Sequence, residues 1–150
     1  MRDYIAVSAC LMGANTKFNG KNNYNPKIKD LIKGKTVLLI CPELFGGLEN
    51  PRDPSEEKED GRIYSINGED VTDYFYNGAY KTLEFLKRHN CYDVILKNGS
   101  PSCGDYTYDG TFTKRKIKRL GVTARLLKDK GFNLTYIDWW RQRKLYQFQY

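Results

Sequence analysis

Cysteine and histidine are the side chains in this sequence that could ligate a metal or act as nucleophiles near neutral pH, and they are few. The 150 residues include four cysteines, Cys10, Cys41, Cys91 and Cys103, and one histidine, His89. A structural zinc site takes four protein ligands, commonly in CxxC pairs. No CxxC is present, and His89 lies beside Cys91 rather than beside the other three. Iron–sulfur clusters are held by cysteine thiolates. Three thiolates on a four-iron cluster would leave one iron open, by analogy with the open position of a catalytic metal site. A thiol-redox pair using Cys91 lacks a CxxC, and three small residues falling in loops by chance is the plain alternative.

The surrounding elements favour convergence. Tyr4 to Ala9, Thr36 to Ile40, Asp93 to Lys97 and Asn133 to Ile137 are short, continuous apolar runs that read as buried strands. Between them, Asn25-Pro26 can open a short helix through Leu31 or Ile32. Thr72 can N-cap a helix from Asp73 to about Arg88, with Phe75, Ala79, Leu83 and Leu86 at helical spacing, and Val122 to Lys130 reads as a helix stopped by Gly131. Residues 43–70 read as irregular. Strands alternating with helices predict an α/β single-domain three-layer sandwich with a mostly parallel, Rossmann-like sheet. In such a sheet ligands bind at the carboxyl ends of the strands. Cys10 follows the first strand, Cys41 the second, and Cys103 lies in the loop after the third, so residues 31 and 62 positions apart can meet at one edge. Cys91 falls before the third strand, away from that edge, and reads as buried.

The length predicts one domain, and 40% hydrophobic with 29% charged residues excludes a disordered chain. No apolar run approaches a membrane span, and the first residues lack the pattern of a signal peptide, so the expected location is cytoplasmic and reducing. The net charge of +7 is local: residues 101–150 hold 11 basic and 4 acidic side chains, the rest 14 of each. The excess lies in residues 114–119 and 141–144. Such asymmetry suits an anionic partner, including RNA, or simply a solvated basic face. Trp139 and Trp140 beside the second run could stack on bases.

Specific strings narrow the reading. Val7-Ser8-Ala9-Cys10-Leu11-Met12-Gly13, Cys41-Pro42-Glu43-Leu44-Phe45-Gly46-Gly47-Leu48, Pro51-Arg52-Asp53-Pro54, Asp70-Val71-Thr72, Ser100-Pro101-Ser102-Cys103-Gly104, Tyr108-Asp109-Gly110-Thr111-Phe112 and Gly121-Val122-Thr123-Ala124 occur in that order. This pattern resembles the DUF523 family, which includes the thiouracil desulfidases, over about residues 4–138. The resemblance implies a [4Fe-4S] cluster on Cys10, Cys41 and Cys103. It implies Glu43 as the acid/base carboxylate, and an assisting serine at Ser100, with Ser102 as the fallback. Ser55 and Arg119 depart from the family's usual Ala and Gly, and residues 139–150 lie outside the resemblance.

The implied reaction is a non-redox desulfuration of 2-thiouracil or a related thiolated base or nucleotide. The soft sulfur meets an open iron, water attacks its carbon, and hydrosulfide leaves. Glu43 would serve as base and then acid; as a loop carboxylate it could instead simply pair with Arg52. Ser100 could donate to the substrate or form a turn before Pro101. The competing expectation is a nucleic-acid-binding module that uses the basic last third, with structural cysteines.

Overall fold

The computed structural model describes residues 3–138. Four strands form one parallel sheet: β1 (Tyr4–Ser8), β2 (Thr36–Ile40), β5 (Asp93–Lys97) and β8 (Asn133–Ile137), in the order β2-β1-β5-β8. The α/β expectation therefore holds, with all three strand pairings of this sheet parallel. The order reverses between β1 and β5. That reversal is the switch point at which a doubly wound sheet opens a crevice beyond its strand ends.

Side chains alternate between two cores, as the pleat requires. On one face Ala6, Val94 and Leu96 pack under helices α3 (Thr72–Arg88) and α4 (Val122–Asp129), which contribute Leu83, Leu86, Ala124 and Leu127. Cys91 is 1% exposed within this core, consistent with the reading of it as buried. On the other face Ile5, Val7 and Ile95 meet Leu11 and Ile28. That layer is thin: its helix, α1 (Ile28–Leu31), has four residues, and Leu39 on edge strand β2 stays 46% exposed. Among the described residues no helix is long and apolar enough to cross a membrane.

Three segments differ from the sequence reading. Residues 43–70 are not all irregular: α2 spans Pro42–Phe45, and β3 (Ser55–Glu57) pairs antiparallel with β4 (Ile63–Ser65). This hairpin brings Ile63 onto Phe75 and Ala79 of α3, closing a third apolar cluster. A second hairpin, β6 (Thr107–Tyr108) with β7 (Lys116–Ile117), occupies the polar stretch after Cys103. Thr72 does not cap α3 but is its first residue, and its amide donates to the Asp70 carboxylate at 3.0 Å. A carboxylate does this work well because it also faces the positive end of the helix dipole.

Candidate functional site

The three strand-end segments at the switch point open onto one cavity of about 640 Å³, lined by Cys10, Cys41 and Cys103 together with Glu43, Ser100 and Lys97. Local structure fixes each thiol differently. Cys10 sits in a 3-10 turn (Ala9–Met12) directly after β1. Asn23, itself buried, donates its backbone amide to the Cys10 carbonyl at 2.9 Å, and its side chain opposes the rise of the Cys10 thiol. Cys41 is the N-cap of α2, with Pro42 at the first helical position, where its missing N–H costs nothing. Helix α2 reaches this place because two glycines let it touch α3. A Cβ on Gly78 would stand 1.9 Å from the Pro42 carbonyl oxygen, and one on Gly46 would stand 1.9 Å from that of Tyr74.

The Cys103 loop is held by α4. The amides of Val122, Thr123 and Ala124, left without partners inside the helix, donate to the carbonyls of Pro101 and Ser102 at 2.8–3.1 Å. From below, Asn98 Oδ1 accepts the amides of Gly99, Asp105 and Tyr106, so one side chain closes the whole loop.

All three thiols are free, and burial pushes each of them above the ordinary thiol range, Cys103 to about 12. Each also feels the Glu43 carboxylate, and Cys103 feels both other sulfurs. Among the described residues no three Cys, His, Asp or Glu side chains stand close enough together to share a single metal ion. His89 lies elsewhere, stacked near Phe85 with Nδ1 2.8 Å from the Phe85 carbonyl.

Glu43, two residues into α2, is surrounded by donors. Arg52 Nε reaches Oε1 at 2.9 Å, and Ser100 Oγ and Ser102 Oγ reach Oε2 at 3.2 and 2.9 Å. The pairing of Glu43 with Arg52 and its place in the cavity are thus both present. Arg52 also donates to the carbonyls of Thr16 and Glu49, tying two loops to the carboxylate. Its ion pair with Glu43 is largely shielded from water. The two serines divide the work. Ser100 Oγ accepts the amides of Ser102 and Cys103 at 3.1 and 3.2 Å, which is the turn role expected of it. Ser102 is buried, makes the shorter contact with Glu43, and lies 3.5 Å from the Cys103 sulfur. Ser100 keeps partial access to the cavity.

Two cavity residues escaped the sequence reading. Asn23 sits in an Asn-rich loop where each asparagine looks like a turn former. Lys97 ends β5; burial lowers its pKa, and Nζ donates to the Asn98 carbonyl at 2.6 Å. A charged residue closing an apolar strand at the ligand-binding edge was the available signal.

The basic run 114–119 is partly committed internally. Arg119 donates to the carbonyls of Glu57 and Tyr108, and Lys116 sits over the Tyr106 ring at 4.6 Å. Arg115 faces Asp109 across 3.8 Å, and Lys114 lines the cavity. Residues 141–144, Trp139 and Trp140 lie outside the described residues.

Known proteins share this frame. The chain is 43% identical over 140 residues to the uncharacterized protein YbbK of Bacillus subtilis, covering 87% of this chain and 93% of that one. Its fold matches a solved [4Fe-4S]-dependent thiouracil desulfidase, TudS, with a TM-score of 0.82, 32% identity and coverage of 90% and 91% of the two chains. The family model for 2-thiouracil desulfurase matches residues 5–138, all of the sheet but Tyr4 and every strand-end loop described above, and the chain belongs to that family.

Proposed function

We propose that the protein is an iron–sulfur desulfidase that removes sulfur from a thiolated pyrimidine such as 2-thiouracil. The observation that carries this is Glu43, held by Arg52 and two serines in the same cavity as three free thiols. The donor set fits a [4Fe-4S] cluster. Three soft sulfur ligands arrive from three separate loops, and a cluster takes one cysteine per iron, so its ligands need not meet at a point. Cys10, Cys41 and Cys103 would hold it. When bound, it supplies a Lewis-acidic iron without a protein ligand, suited to a soft thione sulfur.

The chain's own residues supply the proton chemistry. Oε1 of Glu43 faces a guanidinium, which keeps its protons at any ordinary pH. Oε2 faces hydroxyls, which can pass a proton on, so Oε2 is the basic oxygen. Ser100, partly open to the cavity, connects Oε2 to a water or substrate. Ser102 holds Oε2 in place from the buried side. Water contributes the oxygen that replaces sulfur on the carbon. The proton taken by Glu43 returns to the leaving sulfur or the ring nitrogen, and hydrosulfide departs. No electron is transferred, so no redox partner is needed.

Substrate charge is the open variable of this reading, because Lys17 and Lys114 line the cavity. Contact with RNA through residues 114–119 forms no part of it. Anaerobic reconstitution should give a brown protein with broad visible absorption. Sulfide should then be released from 2-thiouracil, its nucleoside or its nucleotide, and the order among the three reads the value of the basic rim. A cluster-loaded protein that releases sulfide from none of them overturns the activity. A colourless protein that binds only zinc overturns the cofactor.

A further inference from the structure

Lys97 is an unusual residue for the floor of a cavity. It ends β5 half-buried, and among the described residues its Nζ donates to a neutral carbonyl, that of Asn98. Among the described residues no carboxylate comes within ion-pair distance of it. Residues 139–150 contain no Asp or Glu. The charged and titratable groups that face it are Cys10 first, then Asp138, Lys17 and Cys103. Asp138 and Lys17 carry opposite signs and act on it in opposite directions. Burying an ammonium without an anion is costly, and proteins keep such a group where an anion comes to meet it. Glu43 is not that anion, since Arg52 already neutralises it.

Charge balance identifies what is missing. The inference rests on the cluster reading above. An oxidised four-iron cubane held by three thiolates carries one net negative charge. One ammonium, facing two of the three cysteines, cancels it. We infer that Lys97 is the counter-charge of the three-cysteine cofactor site: it stabilises the bound cluster and raises its reduction potential. It is a positioning and electrostatic residue, with no direct part in proton transfer to the substrate.

The test compares wild type with Lys97→Met, Lys97→Gln and Lys97→Arg. Each is reconstituted anaerobically and titrated for iron, sulfide and cluster reduction potential at fixed pH. Net charge near a cluster is one of the determinants of its potential. Met and Gln should therefore lower it, and Arg should restore it toward wild type. The apo proteins give an independent reading. Removing a half-buried charge that has no ion-pair partner among the described residues should leave the apo melting temperature of Lys97→Met equal to or above wild type, which a purely structural lysine would not do. Loading lost in Met and Gln but retained in Arg supports the same inference at the binding step. A potential unchanged in Met and Gln overturns it, as does loading lost in all three variants or a lower apo melting temperature in Met. A wild-type chain that takes up no cluster overturns instead the reading on which it rests.

Discussion

Glu43 is the residue on which most of the site's geometry converges, and it and the two serines on it make separable predictions. Glu43→Gln keeps the size and the contact with Arg52 but loses the base. Sulfide release should fall about 10²–10⁴-fold while iron and sulfide per chain stay at wild-type levels. A parallel loss of cluster would mean that Glu43 holds the loop rather than the proton. The serines separate by position. Ser102→Ala removes a hydroxyl bond to a charged group in a buried place, worth roughly 1.5–3 kcal/mol, and should lower turnover about 10–100-fold with little change in KM. Ser100→Ala removes the acceptor for two loop amides as well, so it should also lower cluster retention on dilution. At this scale the three cysteines could be singled out because they follow recognisable strands, whereas Glu43 was marked by the family resemblance around Cys41. Lys97, Asn23 and the importance of Ser102 were not readable in the sequence. A lysine at a strand end and an asparagine in a loop are usually solvated, and it is the fold that shows these two lining the cavity.

The elements explain why the site tolerates little backbone change. The contact of α2 with α3 at Gly46 and Gly78 places both Cys41 and Glu43. Gly78→Ala must push a helix carbonyl away from its seat. It should cost about 1–3 kcal/mol, seen as a lower melting temperature, and should reduce iron content because Cys41 moves with α2. At the start of α3, Arg62 and Thr72 hold the Asp70 carboxyl well below the usual carboxylate range. A depressed carboxyl stabilises the fold at pH above its unfolded value of about 3.9 and loses that contribution as pH falls. Asp70→Asn should therefore be less stable than wild type near neutrality, with the gap closing through the acid range. The effect is modest because the pair is exposed to solvent. The long helices and the four sheet strands were legible from their periodicity and apolar runs. The hairpin β3–β4 was not, because strands of three residues such as Ser55-Glu56-Glu57 carry no periodic signal. Its place depends on Ile63 finding α3.

At the scale of the molecule, the parallel sheet makes one edge from residues far apart in sequence. A bound cluster would tie β1, β2 and β5 together at that edge. Ligands that bind only the folded state stabilise it by mass action, so stripping the cluster should lower the melting temperature by about 5–10 °C. Cys10→Ser, Cys41→Ser and Cys103→Ser should each abolish that difference. Cys91→Ser, altered in the core behind α3, should lower both melting temperatures and keep the difference between them. The charge asymmetry read from the sequence is real, but its meaning changes with the fold: Arg119 and Lys116 are engaged within the protein, leaving Lys114 and Lys17 at the cavity.

The clasp of the Cys103 loop by the first turn of α4 sets an order of events during synthesis. Cys10 and Cys41 leave the ribosome early, but the carbonyls of Pro101 and Ser102 find their donors only once Val122, Thr123 and Ala124 have been made. A chain emerging N-terminal end first at about 5–20 residues per second therefore exposes Cys10 and Cys41 for several seconds before the third ligand of the proposed cluster site is held in place.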